Sequence, residues 1–143
     1  MSDAILLVDD NADDVFLTVN AFKKSDITNQ VIVARDGVEA LELLLPTDGA
    51  EPLRPAIVLM DINMPRMGGL EVLARLRADL TTRYLPVIML TTSSEERDIT
   101  ESYDGGANSY VRKPVTSSEF LAAARTLGVY WLSVNTSATP NLR

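Results

Sequence analysis

A chain of 143 residues, 46% apolar with a net charge of −7, can bury one core but has no basic stripe with which to hold nucleic-acid phosphates. Without cysteine or histidine, it cannot form disulfides, thiolate or imidazole metal sites, a Ser-His-Asp triad or its own phosphohistidine. No apolar stretch approaches the ~20 residues that span a bilayer, and Met1-Ser2-Asp3-Ala4 lacks the basic start of a signal peptide, so a cytoplasmic protein without membrane or nucleic-acid partners is expected.

The apolar run 4–8 predicts a first strand, ending in Asp9-Asp10. Asn11 is suited to cap a helix with Asp13 and Asp14 in its positive first turn, and Val15, Val19 and Phe22 follow at helical spacing. Residues 31–34 read as a second strand, and Gly37 to Leu45 as a short helix with Val38, Leu41 and Leu45 on one side. Pro46, Gly49, Pro52 and Pro55 mark 46–55 as a surface loop. Ala56-Ile57-Val58-Leu59-Met60 is continuously apolar, as a strand buried on both faces requires, and stops at Asp61 before Ile62-Asn63-Met64-Pro65-Arg66-Met67-Gly68-Gly69. Leu70, Leu73, Leu76 and Leu80 stripe a third helix.

Residues 86–90 repeat the buried-strand pattern and end in Thr91-Thr92. A more polar fourth helix is predicted from Glu95 to about Gly105. The run 109–111 leads to Lys113-Pro114, and Thr116-Ser117-Ser118-Glu119 is a capping box for a fifth helix with Phe120, Ala124, Leu127 and Trp131 aligned. Five β-α repeats with right-handed crossovers predict an α/β fold, a doubly wound five-stranded parallel sheet. The domain is expected to span 1–134, with a C-terminal tail at 135–143.

In a parallel sheet the C-terminal strand ends share one edge, the usual place for a functional site. That edge would gather Asp9, Asp10, Asp61, Thr91 and Lys113. Close carboxylates repel by up to ~4 kcal/mol per pair at ~4 Å and an effective dielectric near ~20. A divalent cation on oxygen ligands relieves that repulsion, and Mg²⁺ is the economical choice, with Mn²⁺ as an alternative. Asp61 is placed to attack a phosphoryl donor, while Mg²⁺, Lys113 and the Thr91 hydroxyl each take one of the equatorial oxygens.

This ordered set resembles the receiver domain of bacterial two-component response regulators, over about residues 4 to 132. The resemblance implies a flavodoxin-like (βα)5 fold and a phospho-acceptor at Asp61, and it implies metal ligation by Asp10, Asp61 and the Asn63 backbone carbonyl with help from Asp9. It further implies a phosphate partner in Lys113, a switch pair in Thr91 and Tyr110, and often a cis bond at Lys113-Pro114. Two positions depart from the family pattern: Gly68 stands where Asp or Asn is common, and Thr92 is larger than the usual residue after the switch hydroxyl. The segments Glu101-Ser102-Tyr103-Asp104, Ala107-Asn108-Ser109-Tyr110, Lys113-Pro114-Val115 and Phe120 to Trp131-Leu132 are similar to the phytochrome-associated single-domain regulators. That finer likeness implies a sensor histidine kinase of the red-light-sensing phytochrome type as phosphodonor.

Other readings stand beside these. Asp13 and Asp14 read as first-turn helix acids rather than ligands. Tyr110 is either a core aromatic or the switch. Tyr130, Trp131, Leu132 and Val134 either anchor the last turn or supply surface for a homodimer through helix four, strand five and helix five. Output would pass to a downstream protein target or, in a phosphorelay, to a histidine phosphotransfer protein. The rival from another class is an aspartate-nucleophile phosphatase, which needs a second acid where Asn63 stands.

Overall fold

The computed structural model describes residues 4–114 and 116–138. Its elements run β1 (Ile5–Val8), α1 (Ala12–Lys24), β2 (Val31–Ala34), α2 (Gly37–Leu44), β3 (Ile57–Met60), α3 (Gly69–Ala78), β4 (Val87–Thr91), α4 (Glu96–Asp104), β5 (Ser109–Arg112) and α5 (Ser117–Val129), followed by a π-helical turn, Tyr130–Val134. All four strand pairings are parallel, in the order β2-β1-β3-β4-β5. The doubly wound five-stranded sheet expected from the sequence is the observed one.

Side chains alternate across each strand, so the sheet has an apolar layer on either face. Leu6, Val8, Val58, Met60, Val87 and Met89 pack with Leu44, Val72, Leu73 and Leu76 of α2 and α3. Ile5, Leu7, Ile57, Leu59, Ile88 and Leu90 pack with Val15, Phe22, Ala124 and Leu127 of α1 and α5. The central strands are closed to water on both faces, which is why they read as unbroken apolar runs.

Local chemistry sets the boundaries. Asn11, Asp36 and Thr116 cap α1, α2 and α5 by accepting the N–H groups of Asp14, Glu39 and Glu119. α3 stops at Ala78, short of the expected Leu80, which is 48% exposed. The Asp79 carboxylate takes both the backbone N–H and the hydroxyl of Thr81, and the Thr82 hydroxyl donates to the Leu76 carbonyl; together they close the helix into a turn. No cis peptide bond occurs among the described residues, so Lys113–Pro114 is trans, the isomer intrinsically favoured by ~0.5–1 kcal/mol. At the far end, Trp131 and Leu132 pack on the α1/α5 layer while Val129, Tyr130 and Val134 face outward. Residues 139–143 of the expected tail lie outside the described residues.

Candidate functional site

The strand order reverses between β1 and β3, which opens a crevice at their C-terminal ends. Asp9 and Asp10 leave β1 there and Asp61 leaves β3. Asp9 is buried, Asp61 half-buried and Asp10 exposed. One carboxylate oxygen from each lies within 4.8 Å of the others. This donor set is all oxygen, and it suits a hard divalent cation.

Lys113 reaches the same point from the end of β5. Its Nζ donates to Asp9 Oδ2 at 2.6 Å, Asp14 Oδ2 at 2.9 Å and Asp61 Oδ2 at 3.0 Å. The lysine's own backbone N–H donates to the Thr91 carbonyl at 2.7 Å, tying the ends of β4 and β5 together. Burial works to lower the Lys113 pKa, but the hydrogen-bonded carboxylates of Asp9 and Asp14 and the charge of Asp61 override it and hold the ammonium well above the ordinary lysine range. For Asp9 burial wins: its pKa is raised despite hydrogen bonds from Lys113 and the Asn11 N–H.

The β3–α3 loop holds Asp61 by its backbone. Asp61 N–H donates to Val8 O at 3.0 Å, and the carboxylate Oδ1 accepts the Ile62 N–H at 2.7 Å. The start of α3 presses on this segment: the Gly69 N–H donates to Ile62 O at 2.8 Å, and a Cβ on Gly69 would collide with the Asp61 carbonyl. The loop is also pinned to α2. Gly37 N–H donates to Met67 O at 3.1 Å, and Arg66, in the left-handed region at φ 63°, places its Nε 2.8 Å from Asp36 Oδ2. The Arg66 hydrogen bond, with the Glu39 N–H, draws the Asp36 pKa below its usual value.

Thr91 is fully buried at the end of β4. Met60 pairs with Met89, so Asp61 and Thr91 leave adjacent strands at nearly the same level. The Thr91 hydroxyl accepts the Ser93 N–H at 3.3 Å. Tyr110 is half-buried against the α2/α3 layer, and its hydroxyl donates to the Ser93 carbonyl at 2.8 Å. Its ring thus packs on the core while its polar end is tied to the loop after β4. Asn63 and Thr92 are exposed.

Asp14 was expected as a helix acid and not as a site residue, and Ser93 was not placed at the site. Asp14 is a first-turn acid, as its position suggests, and it is also a partner of the lysine. The Asn11 cap held a signal for this: it fixes Asp14 one turn into α1, on the side facing the strand ends. Ser93 carried no signal, because its role depends on contacts with Thr91, Tyr110 and α4 that no local spacing shows.

A model of the response regulator receiver domain matches residues 5–125. The chain belongs to this family. It is 33% identical to the response regulator Rcp1 of Synechocystis sp. over 92% of this chain and 90% of that one, and 34% identical to a probable methanogenesis regulatory protein, FilR2 of Methanothrix harundinacea, over 95% and 88%. Among solved structures, the phosphorylated cyanobacterial phytochrome response regulator RcpA superposes with a TM-score of 0.86 at 34% identity, covering 97% of this chain and all of that one. The Mn²⁺-bound form of Rcp1 gives 0.86 at 32% identity, covering 96% and 99%. This receiver is thus related to phytochrome response regulators of two-component signalling, and no helix among its described residues is long and apolar enough to cross a membrane.

Proposed function

We propose that Asp61 accepts a phosphoryl group from a sensor histidine kinase, and that the resulting change of state is passed on by protein contacts. The observation that carries this reading is the meeting of Asp61, Asp9 and Lys113 from three separate strands, with Lys113 Nζ 3.0 Å from an Asp61 oxygen. An Asp61 oxygen would bond to phosphorus as the donor's P–N bond breaks, the electron pair leaving with the imidazole nitrogen. Lys113 is placed to meet one phosphoryl oxygen and the Thr91 hydroxyl another.

The cluster fits Mg²⁺, with Mn²⁺ as a substitute. Asp10, Asp61 and the Asn63 carbonyl would hold it. Asp9, with one oxygen on the Asn11 N–H and the other on Lys113, would assist from behind. Bound there, the ion would neutralise charge developing on the transferred group. A phytochrome-type kinase as donor is supported by the likeness to RcpA and Rcp1. The cytoplasm is the fitting compartment for such an exchange. The likeness to RcpA and Rcp1 likewise supports a receiver acting on a target protein or passing its phosphoryl group to a histidine phosphotransfer protein. Exposed Tyr103 on α4 and Val129 and Tyr130 at the end of α5 support pairing of two chains through α4, β5 and α5.

Incubation with acetyl phosphate and Mg²⁺ tests the central step. Intact-mass measurement should show one added acid-labile phosphoryl group on the wild type and none on Asp61→Asn. Undiminished labelling of the variant would defeat the assignment.

A further inference from the structure

The Lys113 ammonium carries three N–H donors. One goes to Asp9, one to Asp14 and one to Asp61, at 2.6, 2.9 and 3.0 Å. Lys113 therefore has no uncommitted proton to offer. A phosphoryl group on Asp61 can inherit the proton now on Asp61 Oδ2, because that carboxylate loses its charge as the acyl phosphate forms. A second charge-assisted bond from the same ammonium requires Asp9 or Asp14 to let go.

The two acids differ in how readily they release. The Asp9 side chain is 2% open to solvent, and its other oxygen is committed to the Asn11 N–H. Freed from the lysine, it would be a buried carboxylate without a cation, which is strongly unfavourable. The Asp14 side chain is 25% open, so water can take over the oxygen that the lysine leaves. Its backbone stays in place, because Asn11 caps the Asp14 N–H and the Asp14 carbonyl accepts the Thr18 hydroxyl. The first turn of α1 favours a negative charge there with or without the lysine.

We infer that Asp14 competes with the phosphoryl group for Lys113: it holds one lysine proton in the unmodified chain and releases it when Asp61 is loaded. The inference rests on the phospho-acceptor reading above and adds a residue that sets how readily that site is loaded. Loading brings roughly −1.5 to −2 charge units beside the lysine, so Asp14 is repelled as well as displaced. Asp14 acts through Lys113 and is a positioning residue. It slows loading, because the lysine must break that bond before it serves the transferred group fully.

The rate of labelling by acetyl phosphate with Mg²⁺, followed by intact mass, reads the competition. Asp14→Asn and Asp14→Ala should each label about fivefold faster than the wild type. Asp13→Asn removes the same charge from the same turn, at a residue that accepts no bond from Lys113, and should label at the wild-type rate. Asp14→Glu, which keeps a carboxylate, should restore the slower rate. Equal acceleration by Asp13→Asn, or a fast Asp14→Glu, would overturn the competition and leave only a general effect of charge or shape. An unchanged rate in both Asp14→Asn and Asp14→Ala would overturn it too. So would a slower one, which would make Asp14 a brace that aims the lysine. A wild type that takes no label would instead remove the phospho-acceptor reading, and the competition with it.

Discussion

The Lys113 ammonium lies 2.6 Å from Asp9 Oδ2, with only 2% of either side chain open to solvent. Two further carboxylates, on Asp14 and Asp61, share the same ammonium. The site is therefore acidic but locally compensated. Its single buried cation stands among acids that would otherwise repel, and removing either side of that balance has opposite consequences.

Lys113→Ala should destabilise the fold by ~3–5 kcal/mol, because it strands the buried Asp9 carboxylate. At this chain length that is a fall of about 10–17 °C in Tm, measurable by circular dichroism. Adding Asp9→Asn to the same chain should recover part of the loss, since the two changes act on one pair and are not additive.

Asp10→Asn should act the other way. The residue is exposed and accepts no hydrogen bond from Lys113, so in EDTA its removal should raise Tm by about 2 °C by relieving screened repulsion. The same variant should lose most of the Tm increase that Mg²⁺ gives the wild type. A lower Tm in EDTA would mean that Asp10 is held by contacts and not crowded by charge.

Gly69→Ala should cost ~1–3 kcal/mol or more, because its Cβ must displace the Asp61 carbonyl. Labelling of Asp61 should slow in the same variant, since the carboxylate moves with its backbone. Unchanged labelling at reduced stability would separate the packing contact from the chemistry.

The Asp36–Arg66 pair predicts a component of acid sensitivity. Asp36 titrates lower in the folded chain than at its unfolded value of 3.8, chiefly through the Arg66 hydrogen bond. Its stabilisation is thus present above pH 3.8 and is lost as pH falls through the lower folded value. Arg66→Ala should weaken stability at neutral pH and flatten the fall of Tm at the acid end, which a pH series of thermal melts would show.

Tyr130→Ser separates pairing from packing at the end of α5. Tyr130 is 47% exposed, whereas its edge-on neighbour Trp131 packs on the α1/α5 layer. The substitution should shift sedimentation toward monomer with little change in Tm. Trp131→Ala should instead lower Tm. If Tyr130→Ser leaves a dimer intact, the seam lies elsewhere.

Much of this arrangement was legible in the sequence because strand burial and strand-end chemistry are both local. Ile57 to Met60 is apolar without a break because both its faces are covered, and Asp61 marks where that cover ends. The reach of Lys113 to Asp14 across α1 was not legible. Spacing placed Asp14 in a positive first turn but could not show which cation the turn would face. Leu80 misled for a related reason: its helical spacing continued past the point where Asp79 and Thr81 turn the chain, and side-chain capping outweighed periodicity. Ser93 was silent, since a serine in a polar stretch looks like any loop residue until its three neighbours are folded around it.

The buried residues of α4, Asp98 and Ser102, are both polar, which has a consequence for how such a chain can diversify. Both apolar layers of the sheet are complete without any fully buried residue from this helix. Substitutions on its outer face, at Glu96, Arg97, Thr100, Glu101 and Tyr103, therefore leave the core untouched. Partner preference can drift there at little risk to folding, while the acids and lysine at the strand ends stay bound to a single geometry.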